Sequence, residues 1–327
     1  MGHYKLKGKA IFVLVVIVLL LLLPLLLGYY LLHILIFAAI NLIVVLGLGL
    51  LVGFSGQVSI GHAAFYGIGA YASALFTMKL GVPFWIALPS AATIAAIAGI
   101  LLGIPSLKVS SVYLVMTTIG FSLIVWLVMV QWNSLTNGPN GIIGIPSVSI
   151  GSVVFDTPTK YYYVVLFFAL FALWITARIA KSPIGLRLQA ICDEELAAKS
   201  VGINVTYYKV LTFAISSFFA GVAGSLYAHY VTFIHPDNFH LMTSLIFLVM
   251  AVFGGQRSIA GITISTLILT LATEYFRAFG QFRMIGYGLL LVIGMIFFPN
   301  GIGTMKLSII RKLILKILPP RKYFQSE

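Results

Sequence analysis

Charged residues are scarce in this sequence, whose 327 residues include 20 Lys and Arg and only 7 Asp and Glu. Charged residues make up 8% of the chain, against about 25% in soluble domains. A globule so poor in charge cannot cover its surface in water. Cysteine is nearly absent too, since Cys192 stands alone. This excludes a disulfide framework and the paired cysteines of common zinc sites, and we expect neither a metal nor a cofactor.

Motifs for nucleotide binding and catalysis are also missing. The sequence has no GxxxxGK[ST] loop and no convincing Ser/His/Asp or paired-carboxylate arrangement. We therefore expect no enzyme, and energy for any uphill transport must come from another chain. The apolar segments contain almost no ionisable residue. Glu274 lies near a segment end, three residues before Arg277, which favours a local ion pair over a proton relay.

Long apolar runs separated by short polar breaks are what the sequence does contain. They predict an all-α polytopic membrane protein, because short alternating β-barrel segments are absent. We expect ten transmembrane helices, at 10–27, 30–52, 58–78, 84–103, 111–131, 161–177, 209–232, 242–256, 259–276 and 284–299.

Positive charge predicts the orientation of these helices. If the N-terminus is cytoplasmic, sixteen Lys and Arg lie inside, and only Lys79, Lys160, Arg277 and Arg283 lie outside. Both termini are then cytoplasmic, as is the loop at 178–209, whereas the loop at 132–160 is external. The net charge of +13 is spread over segment ends rather than gathered in one patch, which argues against nucleic acid as a partner. We divide the chain into a transmembrane domain, 1–305, and a basic amphipathic tail, 306–327, that lies on the bilayer.

Glycines cluster in the stretch GFSGQVSIGHAAFYGIGAYASAL at 53–75. Small residues let membrane helices approach closely, which is the interpretation we favour. The alternative is a broken helix, whose exposed amides would suit an anionic ligand group. In that case Gln57, Ser59 and His62 lie near the break and are candidate residues of a substrate path.

A polar island interrupts the apolar sequence at 178–209, and it contains Asp193, Glu194 and Glu195. Ser182 and Pro183 are suited to start a helix, and Gly202 is suited to end it. We predict a cytoplasmic helix that docks into a partner. The residues expected to act there are Arg187, Asp193, Glu194, Glu195, Ala197, Ala198 and Gly202. A solvated loop helix without a partner is the alternative.

The stretch AAKSVG at 197–202 resembles the Ala-Ala-x-x-x-Gly core of the coupling loop of ABC importer permeases. Over about 40–300, the motifs GQVSIGHAAFYGIGAY, SLTNGPNGIIGIP, FAISSFFAGVAGSLYAHY and IHPDNF resemble, in the same order, the LivM-type permeases of branched-chain amino-acid importers. In one departure, Leu196 precedes the alanines where the family places a glutamate. Which carboxylate contacts the ATPase is therefore open.

The resemblance implies a permease subunit in the plasma membrane of a prokaryote. It implies import of Leu, Ile or Val by alternating access, coupled to separate ATPase subunits through the loop at 182–205. The implied partners are two cytoplasmic ATPases, a second homologous permease subunit and an external binding protein. The turn-rich loop at 132–160 is long for a connection, so Asn137, Gly138 and Asn140 are candidate contacts for the binding protein.

Two other functions are compatible with parts of this pattern. Permeases for urea or short amides are very similar in sequence, and the binding protein sets much of the specificity. A stand-alone secondary transporter or channel predicts an internal repeat or intramembrane charges, and neither is clear here.

Overall fold

The computed structural model describes residues 20–24, 27–106, 111–151, 153–255, 257–277, 286, 288 and 301–304. These residues are mostly helical, as predicted. The helices are α1 Tyr29–Gly49, α2 His62–Lys79, α3 Phe84–Ser106, α4 Ser111–Gln131, α5 Asn133–Thr136, α6 Pro158–Lys181, α7 Pro183–Asp193, α8 Glu195–Ser200, α9 Val205–Val231, α10 Leu241–Gly254 and α11 Ile259–Arg277. A π-helical turn, Leu50–Phe54, extends α1, and 3₁₀ turns cover Gly138–Asn140, Pro236–Phe239 and Ile302–Thr304.

Four two-residue strands are the only sheet elements within the described residues. They are β1 Ile142–Ile143, β2 Ser149–Ile150, β3 Val153–Val154 and β4 Phe233–Ile234. Strand β1 pairs antiparallel with β4, and β2 pairs antiparallel with β3. The first pair joins the loop after α5 to the connection between α9 and α10, so this end of the helical bundle is tied together by backbone hydrogen bonds.

Seven helices in the described part of the chain are long and apolar enough to cross a membrane. They are Tyr29–Phe54, Phe84–Pro105, Tyr113–Gln131, Pro158–Lys181, Val205–Val231, Pro236–Gly254 and Ile259–Phe276. Eight of the ten predicted segments coincide with α1–α4, α6 and α9–α11. The segment at 284–299, the tail at 306–327 and most of the segment at 10–27 lie outside the described residues.

Helix α1 lies at the centre of the bundle. Most of its length is buried on all sides, and it contacts α6, α9, α10 and α11. An all-round apolar sequence is what such a position requires, because every face of the helix meets another helix. A second group, α2, α3 and α9, packs beside it.

Small residues set the spacing within that second group. A Cβ atom on Gly69 of α2 would lie 2.5 Å from the Cα atom of Gly221 in α9. Glycine at position 69 allows the two backbones to approach this closely, and so does Gly224 of α9, where a Cβ would collide with the Tyr66 carbonyl oxygen of α2. The packing role expected for this part of the glycine cluster is confirmed.

Candidate functional site: the coupling loop, the broken helix and two cavities

Helix α7 begins as the sequence predicts. The Ser182 hydroxyl accepts a hydrogen bond from the Gly185 backbone N–H at 3.4 Å, and Pro183 occupies the first helical position. Serine satisfies a backbone donor that has no partner within the helix, and proline costs nothing there because its missing N–H is not needed.

The prediction of one helix running to Gly202 is wrong. The backbone of Glu194 is extended, with φ −156° and ψ 107°, and it separates α7 from α8. Local propensity favours a continuous helix, because Glu, Leu and Ala are good helix formers. Tertiary contacts on either side of Glu194 override that preference. Gly202 does end the segment as predicted, with a φ of +83° that suits glycine.

Two of the three neighbouring acids are engaged in ion pairs inside the chain. Asp193 Oδ1 lies 2.5 Å from Arg257 Nη2 in the turn between α10 and α11. Glu195 contacts Lys209 of α9 at 2.6 Å and Lys199 of α8 at 2.9 Å. Hydrogen bonds from Lys209 and then Lys199 lower the pKa of the Glu195 carboxyl, and the hydrogen bond to Asp193 raises the pKa of Arg257.

Glu194 differs from its two neighbours. It is exposed and makes no ion pair with any described residue. Leu196 and Val201 beside it are each 74% exposed, which is unusual for large apolar side chains within one short segment. The paired alanines differ in exposure, because Ala197 faces the solvent whereas Ala198 is buried. Ala198 packs inward with Ile191 and Val205.

Arg187 holds α7 against the start of α9. Its guanidinium donates a hydrogen bond to the Tyr208 hydroxyl and lies 5.5 Å from the centre of the Tyr208 ring. Within the coupling loop, residues 178–209, this bond and the Glu195–Lys209 pair hold α7 and α8 to the start of α9, and the Asp193–Arg257 pair holds α7 to the turn between α10 and α11.

Helix α7 also contacts the membrane core. Leu188 is buried against Leu50 and Phe54 of the π-helical turn. The Cys192 sulfur lies close to the backbone where this turn ends, since a Cβ on Gly56 would be 3.2 Å from Cys192 Sγ. Helix α7 is therefore in direct contact with the turn that extends α1.

The chain is not helical between Ser55 and His62, so the broken-helix alternative is correct for this part of the glycine cluster. Gly56 has a φ of +69°, which most residues adopt at a cost and which ends the turn. The packing interpretation is wrong for this glycine, although it holds for Gly69.

Gln57, Ser59 and His62 are brought together at this break, and all three are buried. Ser59 Oγ lies 3.3 Å from His62 Nδ1, and His62 Nε2 lies 2.5 Å from Ser216 Oγ in α9. Gln57 donates to Ser55 Oγ at 2.8 Å. None of the three lines either cavity described below, and we name this buried group of side chains the polar layer.

The predicted turns of the loop at 132–160 are present. Asn137 has a left-handed backbone with a φ of 63°, and its side chain donates to the Gly141 carbonyl at 2.9 Å. Gly138 is buried, whereas Asn137 and Asn140 are exposed. Further along the loop, the Pro146 carbonyl lies 2.7 Å from His229 Nδ1. A carbonyl only accepts, so this nitrogen carries the proton and anchors the loop to α9.

Two adjoining cavities open at the end of the bundle where α9 ends and α10 begins. The larger, of about 880 Å³, lies beside the 3₁₀ turn Pro236–Phe239, and we name it the turn cavity. The smaller, of about 600 Å³, lies beside the 132–160 loop, and we name it the loop cavity. Phe37, Asn41, Tyr227 and Thr273 line both. Sequence reasoning missed these cavities, although the motif IHPDNF marks the turn that borders the larger one.

Comparison with known proteins shows which family this chain resembles in sequence. Residues 30–298 match the family model described as "Branched-chain amino acid transport system / permease component". The chain is 34% identical to the high-affinity branched-chain amino acid transport system permease protein LivM of Salmonella typhimurium, over 81% of this chain and 68% of that protein.

More distant relatives include a second type of permease. The chain is 25% identical to the permease protein LivH of the same kind of system in Escherichia coli, over 80% of this chain and 90% of that protein. It is 27% identical to the guanosine ABC transporter permease protein NupQ of Bacillus subtilis, over 59% of this chain and 65% of that protein. No solved structure matches the chain significantly. The family match covers most of the chain, and the LivM similarity extends over the same region, so this chain belongs to the permease components of branched-chain amino acid transport systems.

Proposed function

We propose that this chain is the membrane-spanning subunit of an ATP-driven importer of branched-chain amino acids. Its partners are two cytoplasmic ATPases that hydrolyse the ATP, a second LivH-like permease and an external binding protein. The observation that carries the proposal is the coupling loop, which is held to the start of α9 and to the turn between α10 and α11 yet presents Glu194, Leu196 and Val201 to the solvent. A loop so firmly held and so apolar on its outer side suits a mechanical contact with another protein.

Within that contact we assign the three acids different roles. Asp193 and Glu195 hold the loop to Arg257 and Lys209, which leaves Glu194 as the carboxylate that meets the ATPase. Ala197 provides close approach on the exposed side, and Arg187 and Gly202 fix the geometry of the loop. When the ATPases close, α7 moves, and its contacts with Phe54 and Gly56 pass the motion to the broken helix.

The polar layer of Gln57, Ser59 and His62 is our candidate for the closed part of the substrate path. Gln57 connects this layer to the coupling loop, because its side chain also donates to the Lys209 carbonyl at 3.4 Å. Hydrogen bonds among neutral groups can rearrange as the helices move, without the cost of exposing a buried charge. If alanine at all three positions left uptake unchanged at normal expression, this assignment would be wrong.

The topology that fits this role has ten transmembrane helices with both termini in the cytoplasm of a prokaryotic cell. Residues 1–305 form the permease domain in the plasma membrane, and 306–327 form a basic tail on the inner leaflet. On the external side, the turn with Asn137, Gly138 and Asn140 is our candidate contact for the binding protein, with Asn137 and Asn140 exposed and Gly138 buried beneath them. The loop that contains this turn is hydrogen-bonded to His229 of α9, so a movement of the loop on binding would be transmitted to that helix.

A second candidate within the family is a permease for another small solute. The guanosine transporter relative supports it, because related permeases serve chemically different substrates. Import of urea or short amides is a further alternative. A stand-alone secondary transporter is disfavoured, because the ordered coupling loop would then have no task.

The experiment is reconstitution of the chain in liposomes with a LivH-like permease, two ATPases and a binding protein from the same cell. ATP-dependent uptake is measured for labelled leucine, guanosine and urea. We expect uptake of leucine that requires all subunits. Uptake of another solute alone would support the proposed subunits but show that the substrate is different. Uptake by this chain without ATPases would contradict the proposal.

A further inference from the structure

We infer that the turn cavity recognises the ammonium group of the transported amino acid, and that Asp237 is the group that contacts it. This inference rests on the proposed function and deepens it, because it assigns a substrate contact within the permease itself. The motif IHPDNF at 234–239 would then have a direct role in transport.

The turn cavity has the size and lining of a small-molecule site. Its volume of about 880 Å³ lies within the range of ligand cavities, roughly 300–1,000 Å³. Apolar and aromatic side chains dominate its described wall, among them Phe37, Phe247, Met250 and Leu269. Such a wall accommodates the aliphatic side chain of leucine, isoleucine or valine, because burying those carbons is favourable.

The charge of this wall has one sign. Asp237 is the only Asp, Glu, Lys or Arg among the described residues that line the turn cavity. The chain contains only seven acidic residues, so a carboxylate at the rim of an apolar cavity is uncommon in this protein and can select ligands by their charge. It attracts a cationic group and repels a simple carboxylate.

The turn that carries Asp237 is firmly held. Phe239 is only 1% exposed, and its ring centre lies 5.5 Å from that of Tyr66 and 5.8 Å from that of Tyr71. The Thr243 hydroxyl donates to the Asn238 carbonyl at 3.0 Å. The buried ring and the hydrogen bond therefore fix the backbone on which the carboxylate is mounted, as a binding residue requires.

One oxygen of the Asp237 carboxylate accepts a hydrogen bond within the chain, and the other is able to accept one from a ligand. Trp126 Nε1 donates to Asp237 Oδ1 at 3.3 Å. Oδ2 lies 3.5 Å from His235 Nδ1, but that nitrogen already accepts the backbone N–H of Asp237 and so has no proton to offer in the neutral ring. Oδ2 can therefore accept hydrogen bonds from an incoming ammonium group.

The surroundings favour an ammonium over a neutral amide. The rings of Trp126, Tyr66 and Tyr227 line the same cavity, and aromatic faces attract cations. Asn41 also lines the cavity, and its Nδ2 donates only one of its two hydrogens, to Thr270 Oγ1, so the other can be donated to the carboxylate of the substrate. Urea carries no formal charge and would gain little from Asp237, so this site distinguishes an α-amino acid from urea.

The test uses the complete importer with Asp237→Asn, which keeps the shape and removes the charge. Asp156→Asn is the matched control, because Asp156 lines only the loop cavity and is already paired with Lys160 at 3.4 Å. We measure leucine uptake with saturating loaded binding protein, ATP hydrolysis, and binding of labelled leucine to the complex without binding protein. Competition is measured with 3-methylbutylamine, which has the ammonium, and with 4-methyl-2-oxopentanoate, which lacks it.

For Asp237→Asn we expect uptake and direct leucine binding to fall about three- to fivefold, because the side chain is 67% exposed and water weakens its attraction for an ammonium group. ATP hydrolysis and the control variant should stay within about twofold of the wild type, and only the amine should compete. The inference is overturned if leucine binding is unchanged in Asp237→Asn, or if the variant weakens only the attachment of the binding protein. A wild-type complex that handles no amino acid overturns the proposed function itself.

Discussion

The ion pair between Asp193 and Arg257 gives the most quantitative prediction of the coupling mechanism. It joins the end of α7 to the turn between α10 and α11, at a distance of 2.5 Å. The two side chains are 65% and 40% exposed, so the pair contributes at most about 1 kcal/mol. That energy corresponds to about a fivefold change in the equilibrium between two positions of the loop. Charge reversal of either residue should therefore lower ATP-dependent uptake by about two- to fivefold, without loss of the folded complex.

The assay is a double-mutant cycle in the reconstituted importer, with Asp193→Arg, Arg257→Asp and the double exchange. The double variant should recover most of the uptake, because the opposite charges meet again with their positions exchanged. Asp156→Arg is the control, since it disrupts a similarly exposed pair with Lys160 in the 132–160 loop, away from α7. If the single variants are fully active, or if the double variant is no better than either single one, the pair does not couple α7 to the α10–α11 turn.

Three further predictions address the coupling loop and the packing of the bundle. Glu194→Lys should reduce co-purification of the ATPases at unchanged expression, and normal recovery would contradict the role of Glu194. Because its partners lower the pKa of Glu195 below the usual 4.5, Glu195→Gln should destabilise the protein at neutral pH. This deficit should vanish as the pH falls through the lowered pKa, which thermal melts at successively lower pH would show. Gly69→Leu should destabilise the bundle by about 3 kcal/mol or prevent folding, whereas Gly120→Leu should be tolerated because nothing lies within 4 Å of a Cβ there. Equal yields of the two leucine variants would refute the packing argument.

Features that depend on local chemistry or on long apolar runs could be predicted from the sequence alone. Ser182 and Pro183 mark the start of α7 because capping depends on residues within one turn. Eight apolar segments predict eight helices because an apolar run in a membrane must satisfy its own backbone.

Features that depend on contacts between distant residues were not predicted. The break at Glu194 arises between ion pairs to Arg257 and Lys209, and no local pattern reveals those partners. The backbone of Gly56 is similar in this respect, because glycine allows both close packing and a turn, and only its neighbours decide between them. The turn cavity lies among helices far apart in sequence, so the motif around Asp237 was visible while its location was not.

The most direct measurement of the central claim is a cross-link from the coupling loop to an ATPase. Cys192 is the only cysteine, so Cys192→Ser gives a background in which Glu194→Cys is a unique attachment point. Asn140→Cys in the same background is the control from the loop at the opposite end of the bundle. In the complete importer, a short bifunctional reagent should link residue 194 to an ATPase subunit, with a yield that changes when ATP is added, and should not link residue 140 to it. A coupling loop that forms no link to an ATPase at residue 194, in a complex that transports leucine, would contradict the account.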